Sequence, residues 1–466
     1  MSSSFREGLA RISVGLLAGA LPAAGARAQS YEFGAPVRND NFGPGFNFAQ
    51  IDAALLVYQE SGSRIMAMEP TLDLSVHGAD GRALTLSAVA DAVSGATPNG
   101  AVPSDKPQNF VTPLQPAGSS ATVTSASGGS TVIKLPPTPG QVAAAALGRQ
   151  YTVPANVLPE DEGFHDHRAA LSGGWTQPVG GITDMGFTLG YSRESDYQAI
   201  TASGHTDQTF NAGNTNVSLT LNGELDSSFP FGGIPTPLSQ MNAQFKTQTS
   251  RNKSQAGFVL GLTEVMTRRW LLSLNYAFDN QSGYETDPYR IISVVDHLSG
   301  EPVQNLYEGR PTKRTSQSIY LDNKIDWGPA VTDLSVRYYT DSWGVRSSTV
   351  ELDQRINVTS IAYIEPSVRW YDQKEANFFR YFLVQGQPTP AYASSDMRLG
   401  SFHALTYGAK FGLSLSKRSE IYLKAEYYHQ GGDAHPAAAI GQLKQQNLFT
   451  GTNAAFAFIG YSWDFH

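Results

Sequence analysis

Apolar and polar residues alternate along most of this chain. Between Ser401 and Ser416, every second residue from Leu405 to Leu415 is apolar or aromatic, and the residues between them are polar or small. Successive side chains of a β-strand point to opposite faces, so this pattern predicts a strand with one apolar and one polar face. The pattern recurs along the chain and in its last residues, which predicts an all-β protein.

Sixteen segments carry the alternation, and the connections between them differ in length in a regular way. The predicted strands are 50–58, 65–77, 83–92, 167–177, 183–192, 196–204, 213–224, 254–266, 269–281, 315–327, 331–341, 345–357, 360–373, 401–416, 419–430 and 454–465. If both termini are periplasmic, every periplasmic connection is short, and the long loops 93–166, 225–253, 282–314, 374–400 and 431–453 are all extracellular. This asymmetry is typical of single-chain outer-membrane barrels. We therefore predict a closed antiparallel transmembrane β-barrel of about 16 strands. Fourteen or eighteen strands are the alternatives, because 196–204 and 213–224 are the least regular segments.

The alternation alone does not distinguish a soluble sandwich from a membrane barrel, whose apolar face meets lipid. Aromatic residues at the ends of the apolar faces, such as Trp270, Trp370 and Trp463, favour the membrane because such rings gather at its interfaces. Charged residues of the polar faces are then predicted to line the lumen, which the sequence leaves either open or filled. They are Glu69, Asp73, Asp333, Arg337, Glu351, Asp353, Arg355, Glu365, Arg369, Lys410, Lys424 and Glu426.

The N-terminus predicts export. Two arginines precede the apolar stretch from Ile12 to Leu21, and Ala26-Arg27-Ala28 has the small-x-small cleavage pattern. We predict a signal peptide over 1–28, a periplasmic segment over 29–49 and the barrel over 50–466. The expected location is the bacterial outer membrane, with its lipid and the barrel-assembly machinery as partners.

Composition excludes several functional classes. The 466 residues contain no cysteine, which rules out disulfides and thiolate metal sites. The 41 acidic and 33 basic residues give a net charge of −8, which argues against nucleic acid as a partner. No catalytic motif is evident, so we predict that the protein is not an enzyme; an outer-membrane hydrolase is the distant alternative.

Two groups of residues are candidate metal ligands. His165 and His167 could chelate Zn or Cu from one face of a strand, although two exposed histidines at a loop end are the simpler interpretation. Five aspartates fall on the predicted outer side and, if they converge, would suit a divalent cation such as Ca²⁺. Ordinary turn formation is the simpler interpretation here too. The five are Asp91, Asp196, Asp287, Asp341 and Asp396.

The segments around these aspartates carry a resemblance. They are Asp91-Ala-Val-Ser-Gly-Ala-Thr, Tyr191-Ser-Arg-Glu-Ser-Asp-Tyr, Gly232-Gly-Ile-Pro-Thr-Pro-Leu, Gly283-Tyr-Glu-Thr-Asp-Pro-Tyr, Tyr338-Tyr-Thr-Asp-Ser-Trp-Gly and Ser395-Asp-Met-Arg-Leu. The set resembles a family of Gram-negative outer-membrane proteins catalogued as domain of unknown function 3570. A long Ser/Thr/Pro-rich insertion after Ala96 departs from the family pattern.

The resemblance implies an outer-membrane barrel without an established activity. Neighbouring genes in that family often encode a flavin transferase, a small lipoprotein and thioredoxin-like proteins, which implies a flavin-bearing or redox partner and a small periplasmic or lipoprotein partner. We therefore predict a porin-like conduit or scaffold. A structural or ligand-binding barrel with a filled lumen is the alternative.

Overall fold

The fold is a closed barrel of sixteen antiparallel strands. The computed structural model describes residues 46–113, 120–124, 130–134 and 148–465, so the predicted signal peptide lies outside the described residues. The barrel strands are β1 (Phe46–Glu60), β2 (Ile65–Gly78), β3 (Ala83–Pro98), β4 (Glu160–Pro178), β5 (Thr183–Arg193), β6 (Tyr197–Phe210), β7 (Thr215–Ser228), β8 (Arg251–Thr267), β9 (Trp270–Gly283), β10 (Lys313–Asp326), β11 (Ala330–Asp341), β12 (Arg346–Asn357), β13 (Ala362–Lys374), β14 (Phe402–Ser416), β15 (Ser419–Gly432) and β16 (Thr452–Phe465).

The ring closes where the first strand meets the last. β1 and β16 are antiparallel neighbours, with Leu55 opposite Ile459, so neither strand is left as an edge. Closure is what makes a β-sheet compatible with hydrocarbon, because hydrocarbon offers no other partner for a backbone N–H or C=O group. No helix in the described part of the chain is long and apolar enough to span a membrane.

The predicted number of sixteen strands is confirmed, and it includes the two least regular segments, which form β6 and β7. Several strands are longer than the alternation indicates. β3 continues to Pro98 and β4 begins at Glu160, so the first long loop spans 99–159 and not 93–166. The backbone ladder continues through polar pairs such as Ser94 opposite His165, which hydrophobic alternation does not reveal.

The two faces of each strand differ as the alternation predicts. On β11, Leu334, Val336 and Tyr338 are exposed on the outer surface, whereas Asp333 and Ser335 are buried on the lumen face. The outer surface of the barrel is therefore an apolar belt. Trp270, Trp327, Trp370 and Trp463 are also exposed, at 36%, 58%, 45% and 45%. The apolar belt of a closed ring is in contact with lipid, and the aromatic rings lie at the membrane interfaces. The protein is therefore an integral protein of the outer membrane.

The two ends of the barrel are unlike. At the periplasmic end all connections have two to four residues, namely 79–82, 179–182, 211–214, 268–269, 327–329, 358–361 and 417–418. At the outer end lie the five long loops 99–159, 229–250, 284–312, 375–401 and 433–451. Parts of them form small sheets, one of which joins Ile291–Val295, Pro302–Tyr307 and Leu383–Val384. The predicted asymmetry is confirmed.

The lipid-facing assignment predicts how a new charge changes stability. Val336 lies at mid-strand, with Leu321 and Val350 as its apolar neighbours on the same face. Val336→Arg should lower the free energy of unfolding from lipid vesicles by about 2–4 kcal/mol, the cost of a cation near the bilayer midplane. Denaturant titration of the protein in vesicles measures this change.

Ser203 provides the matched control, because it lies at mid-strand on the lumen face of β6, between Thr188 and Asn222. Ser203→Arg keeps its new charge out of lipid and should cost much less. Equal losses for the two variants would contradict the assignment of the faces.

Candidate functional site

The outer mouth of the barrel is covered by loops that meet one another. We call the described residues of the five long outer loops the cap. The hydroxyl of Ser395 lies 2.9 Å from the carbonyl oxygen of Gly100 and 2.7 Å from that of Ile291. The three residues belong to loops that follow β13, β3 and β9, which are spread around the ring of sixteen strands. Loops from such distant parts of the ring can only meet above the lumen.

Close backbone packing at this junction depends on a glycine. Gly100 has a φ of +99°, and a Cβ atom there would lie 2.1 Å from the carbonyl oxygen of Ile291. Any other residue would therefore be strained in its backbone and would also push the loops apart. The junction explains why a glycine stands at this point of the loop after β3.

Apolar side chains give the cap a core of its own. Val102, Val295, Leu443 and Leu448 are buried against one another and come from the loops that follow β3, β9 and β15. The amide side chain of Gln442 also donates to the carbonyl oxygen of Pro103, at 3.1 Å. The cap is thus a small folded unit.

Buried charges connect two of the loops. Arg310 Nε lies 2.6 Å from a carboxylate oxygen of Glu308, and its Nη2 lies 2.8 Å from Asp396 Oδ2. Arg398 lies 2.5 Å from Asp396 and 3.2 Å from Asp287. Burial alone would raise the pKa of Asp396, but the charges of Arg398, Arg290 and Arg310 together lower it well below its usual value. Burying an ion costs free energy unless the ion is paired, so removing any one member of this network would leave its partners buried without a counter-charge.

The five predicted cation ligands do not form one site. Asp287 and Asp396 share Arg398, Asp91 lies 2.5 Å from Arg168, Asp341 lies 2.6 Å from Arg314, and Asp196 accepts a hydrogen bond from Tyr289. Arginine and tyrosine groups thus take the places that a cation would need. His165 and His167 lie on β4, opposite Ser94 and Ala92. In the described ranges, no three His, Asp or Glu side chains are grouped so as to hold a metal ion.

The twelve predicted lumen residues lie on the barrel strands, each on the face opposite the apolar belt. Some are paired: Lys424 lies 2.7 Å from Glu426, Asp333 lies 3.0 Å from Lys324, and Glu69 lies 3.3 Å from Arg168. Asp333, Asp353, Arg355 and Glu426 are also buried. Part of the lumen is therefore filled by its own side chains.

One wall of the lumen combines cations with aromatic rings. On β10 to β16, five cationic groups lie over ring faces, at distances to the ring centroids of 5.3 Å, 5.7 Å, 3.6 Å, 4.4 Å and 5.7 Å. The pairs are, in that order, Arg337 with Tyr320, Arg369 with Tyr371, Arg355 with Tyr363, Lys410 with Tyr422, and Lys424 with Phe458. We call β10–β16 with these side chains the cationic wall.

The opposite wall carries small side chains. β5 is eight strands from β13 in the ring of sixteen, so the two face each other across the lumen. The lumen-facing residues of β4, β5 and β6 include mostly glycine, serine and threonine, and we call these three strands the small-residue wall. Its members are Ser172, Gly174, Gly186, Thr188, Gly190, Thr201 and Ser203.

Sequence reasoning missed an aromatic cluster on the lumen face. Tyr58, Tyr428, Phe456 and Phe458 are between 0% and 3% exposed and pack together near the junction of β1 and β16. Both parities of the last strand are apolar, since Phe456 and Phe458 alternate with Ala457 and Ile459, and this was the available signal. Glu308 and Arg310 were also missed, because contacts between loop residues far apart in the sequence, such as Arg310 and Asp396 at a separation of 86 positions, carry no pattern.

A closed sixteen-stranded ring, a lipid-facing belt and unequal ends define the class of integral outer-membrane β-barrels. Within that class, the chain belongs to the family described as "Protein of unknown function (DUF3570)", whose model matches residues 22–463. This confirms the resemblance found in the sequence. No curated protein matches the sequence.

Several solved barrels resemble the fold at low identity. The ferric enterobactin receptor PfeA in complex with BCV-L6 shares 8% identity with a TM-score of 0.40, over 84% of this chain; the chain spans about 55% of the receptor's length. The outer membrane protein opdK from Pseudomonas aeruginosa shares 8% sequence identity with this chain, with a TM-score of 0.37. The match covers 90% of this chain and 99% of the opdK chain. A bacterial polysaccharide outer membrane secretin shares 7% sequence identity with this chain, with a TM-score of 0.42. The match covers 91% of this chain and 100% of the secretin chain.

A hydrogen bond ties the turn between β5 and β6 to the cap. Tyr289 donates its hydroxyl to Asp196, and the backbone N–H of Phe231 donates to Tyr289 at 2.8 Å. Burial and the charge of Asp166 raise the pKa of Asp196 to about 7, although the bond from Tyr289 acts in the other direction. Burial and the charges of Asp166 and Asp196 likewise raise the pKa of Glu194 to about 8.

These pKa shifts predict that the stability of the contact between the β5–β6 turn and the cap depends on pH. An acid with a raised pKa in the folded state binds its proton more tightly there, so its stabilising effect is present at low pH and is lost as the pH rises from about 4 to about 8. Hydrogen-exchange protection of Phe231, corrected for intrinsic exchange, should fall over this window. Asp196→Asn should remove most of the fall, and Asp105→Asn on the exposed cap surface should not. A flat profile in the unmodified protein would contradict the assignment.

Proposed function

We propose that this protein is a conduit across the outer membrane whose outer mouth is closed by the cap at rest. The observation that carries the proposal is the meeting of loops from distant parts of the ring at Ser395, above the lumen. A ring of sixteen strands encloses enough space for water and small solutes, so a cover over it acts as a gate.

The cap can open without breaking the barrel. Its contacts are ion pairs, hydrogen bonds and apolar packing among loops, as at Arg310 and Leu443. The barrel depends on a separate set of backbone bonds around the ring. A chain without cysteine also lacks any disulfide that could lock the loops.

The filled-lumen barrel is the second candidate, and the aromatic cluster favours it. Tyr58, Phe456 and Phe458 pack inside the outer half of the barrel and leave that side of the lumen closed to water. The gated conduit fits better because the cluster occupies one side only, whereas β4, β5 and β6 carry small residues on their lumen faces. From the resemblance alone, we also propose that a flavin-bearing or redox partner and a small periplasmic or lipoprotein partner work with the conduit.

Opening the cap tests the proposal. Arg310→Gln removes the cation between Glu308 and Asp396, which leaves two buried carboxylates without their shared partner. Breaking a buried ion pair in this way costs about 3–5 kcal/mol, which should unfold the cap while the barrel persists. In planar bilayers the unmodified protein should show little steady current, and Arg310→Gln should show a clear increase.

Lys444→Gln is the matched control, because Lys444 is an exposed residue of the same cap. It should leave the current unchanged, and heat-modifiable migration in gels should show that all variants keep the barrel. If Arg310→Gln retains the barrel, loses protease resistance in the cap and still does not conduct, the lumen is filled and the conduit is wrong.

A further inference from the structure

We propose that Asp184 and Asp207 bind small organic cations that carry a primary ammonium group, in the periplasmic half of the lumen. This inference rests on the proposed function, since such cations would be the solutes of the conduit. The single juxtaposition behind it is a pair of lumen carboxylates that lie directly opposite each other on β5 and β6.

Both carboxylates belong to the lumen face of the barrel. Met185 and Phe187 are exposed on the lipid side of β5, so Asp184 lies on the other face, with the glycine and threonine residues of the small-residue wall. Asp207 has the same parity on β6 and is only 7% exposed. The two residues are near the periplasmic ends of their strands, far below the cap.

The pair has no basic partner in the part of the chain that the structure describes. No Lys, Arg or His nitrogen there lies within 4.0 Å of either carboxylate. On the flanking strands, Asp184 lies opposite Pro178 and Asp207 lies opposite Ser218. The charged group that acts on Asp207 is Asp184 itself, and Oδ1 of Asp207 is buried without a hydrogen-bond partner. Like charges placed directly opposite each other repel, so the pair needs a counter-charge.

His205 is the titratable base that shares this face, two positions before Asp207 on β6. Its Nε2 lies 3.3 Å from Thr176 Oγ1 on β4, and its ring interacts electrostatically with Asp184. An ordinary imidazole is neutral at about pH 8. His205 therefore does not supply the counter-charge at that pH, which makes pH 8 the condition for testing the site.

The oxygen atoms at this level suit an ammonium group better than a metal ion. A primary ammonium has three N–H donors, and the two carboxylates together with the hydroxyl of Ser218 offer acceptors for all three. Hydrogen bonds from an ammonium to a carboxylate are charge-assisted and therefore strong. A Ca²⁺ ion takes about six to eight oxygen ligands. Among the described residues, no group of three His, Asp or Glu side chains could hold such an ion.

Further acidic residues lie between the cap and the pair. Glu224 and Asp279 are on the lumen faces of β7 and β9, in their outer halves, and act on each other electrostatically. Lys253 also acts on Glu224, but its ion pair is with Asp226, at 3.2 Å. An ammonium ion that passes the cap thus meets carboxylates at several levels beside the small-residue wall. Several weak sites in a row allow entry and release, as conduction requires.

Binding is tested by calorimetry with a cationic probe, a neutral one and a metal ion. Protein in detergent, with and without Arg310→Gln, is titrated at low salt and about pH 8 with n-butylamine, the uncharged n-butanol and calcium chloride. The amine should bind and the alcohol should not. The double variant Asp184→Asn and Asp207→Asn should weaken amine binding at least about tenfold, because the site loses charge-assisted hydrogen bonds. Calcium binding that is tighter than amine binding and depends on the two aspartates would overturn the assignment to ammonium.

Asp80→Asn is the matched control, because Asp80 lies in a periplasmic turn and is paired with Arg82. It should leave amine binding unchanged. Asparagine has the shape of aspartate and removes the repulsion within the pair, so the double variant should keep the barrel, which heat-modifiable migration verifies. Asp207→Asn alone gives the same test with a single change.

Ion selectivity gives a second, independent readout. In the conducting Arg310→Gln background, the reversal potential in a KCl gradient should show preference for potassium, and the Asp184/Asp207 double variant should reduce it. If the channel conducts without this preference and n-butylamine does not bind, the inference is wrong while the conduit stands. If no variant conducts but amine binding depends on the two aspartates, the conduit is wrong while the cation site stands.

Discussion

Every feature of this protein follows from one constraint: a backbone that crosses hydrocarbon must pair all of its N–H and C=O groups within the protein. Sixteen strands satisfy it by closing into a ring, and closure fixes which face of each strand meets lipid. Val336 and its neighbours then belong outside, and the charged residues that alternate with them belong inside. The low charged fraction of the chain, 16%, is the result, because half of the barrel surface needs no charge.

The constraint moves charge into the interior, where each charge needs a partner. In the cap the partners are carboxylates and guanidinium groups that close on one another, as Arg310 does with Glu308 and Asp396. On the cationic wall, cations lie over ring faces and also opposite acidic residues of neighbouring strands, as Arg369 does with Tyr371 and Glu351. The first arrangement favours a closed lid.

Alternation and loop lengths were enough to predict the barrel, its number of strands and its orientation. The reason is that apolar residues recur at every second position, which is also the period at which side chains of a strand return to the same face. They were not enough for the cap, since Ser395, Gly100 and Ile291 come together only after the ring has placed their loops. The aspartates illustrate the difference. Their outer position was predictable, but their partners, Arg168, Arg314, Arg398 and Tyr289, depend on which strands are neighbours and on how the loops fold.

Closure of the outer mouth is the central claim, and labelling of single cysteines tests it most directly because the chain contains none. Intact cells carrying Leu298→Cys, at an exposed cap position, or Ser203→Cys, inside the lumen, are treated with a bulky maleimide that does not cross the outer membrane. We predict rapid labelling of Leu298→Cys and protection of Ser203→Cys, with protection lost on denaturation. Equal labelling of both positions in folded protein would contradict a closed mouth.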